Sequence, residues 1–238
     1  MGCDDCGPPS DVHRPDPTTA PAATTTGVVA GHGVVRGTVT FKGVAPAPEE
    51  VAGAKCHSGA AATSTAPVVV SGDGGLKDVM VYVKDAPQSG PVTSAAPAVL
   101  DQVNCQYVPH VVGLRTGQVL RVTSSDATLH NVHALCVDNP QVNFGMTGAG
   151  QTRDLTFKAP ERFAVKCDVH PWMRAHVYVF DHPFFAATGA NGRFEIPGLP
   201  PGEHTLVFSH PFLGDREQKF VARDSEPADA DVVFEKGK

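Results

Sequence analysis

Residues 161–180 read ERFAVKCDVHPWMRAHVYVF, and this stretch decides the fold. Its flanks, RFAVK and AHVYVF, have the alternation and β-branched content of strands. Between them CDVHPWM puts Cys167, His170 and Met173 on one strand-to-strand loop. His130 stands upstream in LHNVH, after the strand and polar turn GQVLRVTSSDATL, and comes from another part of the sheet. Two imidazoles and a thiolate in a trigonal set, with a weak axial thioether, are the ligands of a blue copper centre. His130, Cys167, His170 and Met173 supply those residue types and would hold one copper ion that alternates between Cu(I) and Cu(II). Taken singly, each residue has a plainer explanation: buried Cys is commonly inert core, Met fills gaps, and His is satisfied by a hydrogen bond. Their order and spacing carry the metal reading.

Working outward, GQVLRV, LHNVH, APERFAVKCDVHPWM and HVYVF follow one another between about Pro97 and Phe180. In that order they resemble the cupredoxins, most of all the amicyanin-like and plastocyanin-like members. The amicyanin ligand loop has the same two-residue gaps between Cys and His and between His and Met. The resemblance implies a Greek-key β-sandwich and assigns the four metal ligands as above. It also implies roles for neighbours of the ligands. Asn131 ties the ligand loop to the adjacent strand and helps cover the Cys167 sulfur, where a turn role is the plainer alternative. Pro171 has no amide hydrogen and limits the donors near the thiolate. Trp172, the one Trp of the chain, forms an apolar collar at the His170 edge or else packs in the core.

The implied function is transfer of single electrons between extracytoplasmic redox proteins, without catalysis of its own. Partners would dock transiently over His170, Pro171 and Trp172. Two other classes remain open: a periplasmic copper carrier or scavenger, which would expose its ion, and a metal-free cell-surface scaffold, which would have lost ligands. The remaining histidines do not make a second metal centre. His133 points away from His130 in the strand, His176 sits in the strand leaving the loop, and His110 and His182 border turns.

Composition agrees with an all-β chain: 24 Gly and 21 Pro punctuate many short Val-rich runs, and 41% of residues are hydrophobic. A net charge of -6 argues against nucleic acid as a partner. Oligomeric state is not legible. Residues 1–26, rich in Pro, Thr, Ala and Asp, read as a flexible tether. Gly2-Cys3 ahead of that stretch looks like the end of a bacterial lipoprotein signal, which would make Cys3 a lipid attachment site and the protein extracytoplasmic and membrane-tethered. An ordinary flexible terminus is the alternative.

Of the 6 cysteines, Cys6, Cys56, Cys105 and Cys136 are then unassigned. They allow three pairings, of which Cys56 with Cys105 is favoured because both lie in β-rich segments.

Around the copper segment lies a second pattern. ATGANGRFEIPGLPPGEHTLVFSHP near the carboxyl end, and GVVRGTVTFKGVAP and GGLKDVMVYVKDA near the amino end, resemble the carboxypeptidase regulatory-like family, a small antiparallel β-sandwich. The expected organisation is a discontinuous sandwich of residues 34–92 and 182–236 with the copper domain, residues 97–181, inserted between its halves. A tandem arrangement is the rival. The second sandwich would be structural, with His204 and His210 as surface residues near its turns.

Overall fold

Strand Arg174–Phe180 is apolar on both faces, and the architecture follows from that. Ala175, Val177 and Val179 enter one hydrophobic core, while Tyr178 and Phe180 point the other way into a separate cluster with Met80 and Val111. A strand buried on both faces is a near-continuous apolar run rather than a clean alternation. Here it marks the layer shared by two sandwiches. The structure, a computed structural model, describes residues 33–51, 64–89, 95–224 and 226–235. Residues 1–26, Cys3, Cys6 and Cys56 lie outside the described residues.

The fold is all-β: a two-sheet sandwich with a further β domain. One sheet of the first sandwich runs Val142–Met146, His130–Ala134, Glu161–Lys166, Arg174–Phe180 and Val111–Arg115 in spatial order. Facing it are Gln151–Thr156, Val119–Ser124, Ala98–Val103 and Gln106–Val108. Leu100, Leu120, Val122, Val132, Phe163 and Val177 fill the space between. These are the inward positions of alternating strands, as in Val119–Ser124, where Leu120, Val122 and Ser124 are buried.

The second sandwich draws on both ends of the described chain. Gly33–Lys42 pairs antiparallel with Arg193–Leu199, setting Val35 opposite Ile196, and parallel with Val232–Glu235, setting Phe41 beside Phe234. Its other sheet is Phe185–Ala187, Met80–Val83, Gly202–His210 and Gly214–Ala222. Val39, Leu76, Ile196, Phe208 and Phe234 form its core. The Asn191-Gly192 turn is tightly specified: Gly192 has φ +72°, and an added Cβ would lie 2.2 Å from the Val39 carbonyl oxygen.

Apolar and polar contacts join the two sandwiches. Phe180 stacks on Phe185 at 4.5 Å, and Gly113 leaves room for Phe185, whose ring would be 2.7 Å from a Cβ there. The Arg162 guanidinium donates to Ser209 Oγ at 3.0 Å and to Asp215 at 3.1 Å, and Tyr178 Oη meets the same Ser209 hydroxyl at 3.0 Å. Burial of Tyr178 and Phe180 contributes roughly 1.5–3 kcal/mol each. The half-exposed Arg162–Asp215 pair adds at most about 1 kcal/mol.

Histidines also collect at this junction. His110 lies edge-on to His176 at 5.4 Å, with its Nδ1 3.8 Å from Asp78 Oδ2. His210 is buried, contrary to its expected surface position, because it ends the strand Gly202–His210 on the same face as Phe208, with its ring 6.4 Å from that of Phe234 in the second sandwich's own core. Its Nδ1 accepts the amide hydrogens of Phe212 and Leu213. Burial pushes His110, His176 and His210 down to about 4. In the unfolded chain each returns to about 6.5, so between pH 6.5 and 4 the unfolded state holds the additional protons. Stability contributed by the neutral imidazoles is complete above pH 6.5 and lost as the pH falls toward 4. Thermal melts should show Tm dropping across that window, with a shallower drop in His176→Phe; a Tm unchanged from pH 7 to 4 would contradict the buried neutral imidazoles.

Candidate metal centre

The centre is built on a hairpin loop and one neighbouring strand. Glu161–Lys166 and Arg174–Phe180 pair antiparallel, with Lys166 opposite Arg174, so residues 167–173 close the end of the pair. Cys167 N–H donates to the Met173 carbonyl at 3.2 Å, and Met173 N–H donates to the His170 carbonyl at 2.9 Å. Pro171, with its fixed φ, sits in the turn these bonds define. His130 begins the strand His130–Ala134, which pairs with Glu161–Lys166 at Ala134 and Val165. The two elements that carry the ligands are therefore adjacent in one sheet.

Side chains from both elements converge. His130 Nδ1 and His170 Nδ1 face each other at 3.0 Å, and Cys167 Sγ is 3.9 Å from His170 Nδ1. Nitrogens about 2.0–2.1 Å and a sulfur about 2.3 Å from one ion are separated from each other by roughly 3–4 Å. These two separations lie in that range. Cys167 is a free, buried thiol, and Met173 is buried in the same apolar cluster, 1% exposed. A second thioether, Met146, lies opposite His130 in the strand register and accepts a hydrogen bond from Gln102 Nε2 at 2.9 Å.

The polar surroundings favour a thiolate. Asn131 N–H and His170 N–H both donate to Cys167 Sγ at 3.3 Å. Burial raises the Cys167 thiol, but His130 and these amides outweigh it and bring it below its ordinary value. Burial likewise opposes the His130 imidazolium, yet the Asp126 carboxylate and the Cys167 sulfur raise it to about 9. His170 is lowered, first by burial and then by the charge of His130.

Asn131 is tied to the ligand loop: its Oδ1 accepts from Asp168 N–H at 3.1 Å, while its Nδ2 donates to Asn143 and to the Phe144 carbonyl. Trp172 is half-buried, its ring 5.1 Å from the His170 ring, and its Nε1 donates to the Cys105 carbonyl at 3.0 Å. Pro171 is exposed, and Val169 and Leu129, each beside a ligand histidine in the chain, are both 45% exposed. His133 is turned from His130 and pairs with Asp168 at 3.0 Å.

Three residues at the centre escaped the sequence reading. Asp126 Oδ2 accepts the Nε2–H of His130 at 2.8 Å and Cys105 N–H at 2.8 Å, while its Oδ1 takes Asn104 N–H. An acid four residues before a ligand histidine is the one available hint, and in SSDATLH it looks like a turn residue. Tyr107, buried, donates its hydroxyl to the Asn131 carbonyl between the ligand strands. Cys105 Sγ, with one ring nitrogen each of His130 and His170, makes a set whose atoms lie within 4.8 Å of one another. Cys105 is disulfide-bonded, so it offers no thiolate as it stands, and Cys167 is the free thiol beside His170. The other half of that bridge lies outside the described residues, as does the favoured partner Cys56.

Solved structures similar to part of the chain include an amicyanin, a purple cupredoxin and a copper-containing nitrite reductase. A copper(I) form of an amicyanin mutant is 20% identical over 42% of this chain and 97% of its own, with a TM-score of 0.32. The purple cupredoxin of Nitrosopumilus maritimus is 19% identical over 34% of this chain and 98% of its own, TM-score 0.30. The copper-containing nitrite reductase of Thermus scotoductus SA-01 is 21% identical over 38% of this chain, TM-score 0.32, and the chain spans 25% of that enzyme's length. No protein-family model and no curated protein matches the chain.

Proposed function

We propose that this is a mononuclear blue copper protein that shuttles single electrons between extracytoplasmic redox partners and performs no catalysis. The observation that carries the proposal is the convergence of two Nδ1 atoms at 3.0 Å with a free thiol sulfur 3.9 Å from one of them. His130, Cys167 and His170 would hold the metal, with Met173 axial. Copper bound there would supply a one-electron couple between Cu(I) and Cu(II).

The protein's part is rigidity and access. His130 and Cys167 are buried at 0% and 2% exposure, fixed in place by Asp126 and Asn131. His170 is partly exposed, beside exposed Val169 and Pro171 and half-buried Trp172. That small apolar rim is where a partner would dock transiently. The disulfide at Cys105 supports an oxidising compartment, periplasmic or outer-surface. The second sandwich, similar in sequence to carboxypeptidase regulatory-like domains, we read as a rigid platform fixed to the back of the ligand sheet through Tyr178 and Phe180.

Titrating the purified protein with Cu(II) should develop an intense thiolate-to-copper visible band that saturates at one copper per chain. The band should survive a competing chelator while cycling rapidly with small redox reagents; copper lost to the chelator faster than it cycles would favour a carrier, and a colourless copper-loaded protein would refute the proposal. Met173→Leu should keep the colour and raise the reduction potential, because an axial donor that favours the oxidised ion is removed. A potential equal to that of the wild type would exclude Met173 as a ligand.

A further inference from the structure

The two histidines of the centre are held in different ways. A metal-binding imidazole ordinarily gives its second ring N–H to a partner that fixes the ring, and His130 does so through Nε2 to Asp126 Oδ2 at 2.8 Å. Among the described residues, the His170 ring makes its polar contacts through Nδ1 alone. Trp172 lies against that ring instead, with 5.1 Å between centroids and 50° between planes. The indole is itself tethered, because its Nε1–H donates to the Cys105 carbonyl at 3.0 Å.

The Cys105 backbone thereby serves both histidines. Asn104 and Cys105 form a two-residue turn between Ala98–Val103 and Gln106–Val108, each with a left-handed φ, 52° and 55°. Such a turn favours Gly at its second position, and a residue with a Cβ persists there where its surroundings fix it. Asp126 fixes it from one side: Oδ1 accepts Asn104 N–H and Oδ2 accepts Cys105 N–H, each at 2.8 Å. From one completely buried residue, hydrogen bonds therefore run through Asp126 to His130 and through the indole to the ring face of His170.

We propose that Trp172 is the positioning residue of His170, and that the Asn104-Cys105 turn brackets both histidines, His130 through Asp126 and His170 through Trp172. This rests on the copper reading above. Trp172 acts on the metal only through the ring it packs against. His170 is the partly exposed histidine, so without a support its ring could shift each time the ion changes oxidation state. Such a shift slows transfer, and a ring locked by its neighbours avoids it. Because both arms meet at Cys105, loosening one loosens the other, and their effects are coupled rather than independent.

The test begins without metal. Trp172 is the one Trp of the chain, so its indole N–H gives a single proton resonance. In the metal-free protein that proton should exchange with solvent about 100-fold more slowly than in a free indole. Trp172→Phe keeps a ring beside His170 and removes the donor to Cys105. It should retain the thiolate-to-copper band, yet bind Cu(I) about tenfold more weakly in chelator competition and cycle about tenfold more slowly with a small inorganic oxidant. A Trp172 that served only to dock partners would leave both values unchanged, since no partner is present. Combined with Asp126→Asn, the double variant should lose less affinity than the product of the two single losses, by about threefold or more. An unprotected indole proton, wild-type affinity and cycling in Trp172→Phe, or single losses that simply multiply would each overturn the bracket alone. Absence of a thiolate-to-copper band in the wild-type Cu(II) protein would overturn the copper reading and this role with it.

Discussion

Cys167→Ser should abolish the visible band of the copper-loaded protein completely while leaving a folded chain. The band requires a sulfur anion bonded to copper, and Cys167 is the thiol that faces the paired histidine nitrogens. Serine keeps the volume approximately but replaces a soft, readily ionised donor by a hydroxyl that stays protonated. Copper affinity should fall by more than the roughly 10–100-fold typical of removing only a residue that supports a ligand. The cost to stability is smaller, about 1–3 kcal/mol for a hydroxyl in a mostly apolar site. It is softened because Asn131 and His170 N–H groups already point at that position. Visible titration and a thermal melt on the same sample read the two effects. A variant that keeps the band would place the thiolate elsewhere.

Asp126→Asn is expected to have the next largest effect. The carboxylate is 3% exposed and accepts from His130 Nε2, Asn104 N–H and Cys105 N–H, so one charge supports a ligand ring and the turn behind it. An amide has one oxygen to replace two, and its NH2 group faces donors. At least one buried N–H is left without an acceptor, which costs about 1–3 kcal/mol. Losing the hydrogen bond that orients and polarises a ligand imidazole should weaken copper binding roughly 10–100-fold. The reduction potential should rise, since a His130 ring without an adjacent carboxylate stabilises Cu(II) less. Potentiometry and chelator competition check both; a potential and affinity equal to those of the wild type would show that Asp126 serves the turn alone.

The all-β fold was legible because its strands carry their own signs. RFAVK and HVYVF alternate or run apolar, Gly and Pro punctuate the rest, and Asn191-Gly192 marks a tight turn. Convergence of Cys167 and His170 could be anticipated because both lie on one seven-residue loop, and that of His130 because the resemblance to cupredoxins implied it. Asp126, Tyr107 and Cys105 were opaque for the opposite reason. They reach the centre from the facing sheet, where Ala98–Val103 pairs parallel with Val119–Ser124 and antiparallel with Gln106–Val108. Nothing local in NCQYV or SSDATL says which turn tucks beneath a histidine ring. The burial of His210 was equally hidden, since it depends on Phe234, which comes from the far end of the chain.

Anomalous diffraction from copper-loaded crystals, recorded at the copper edge, addresses the centre most directly. A single strong peak should lie about 2.0–2.3 Å from the sulfur of Cys167 and from the Nδ1 atoms of His130 and His170. A peak at any other histidine or acidic cluster, or one bonded to those imidazoles but not to the Cys167 sulfur, would contradict a blue copper site.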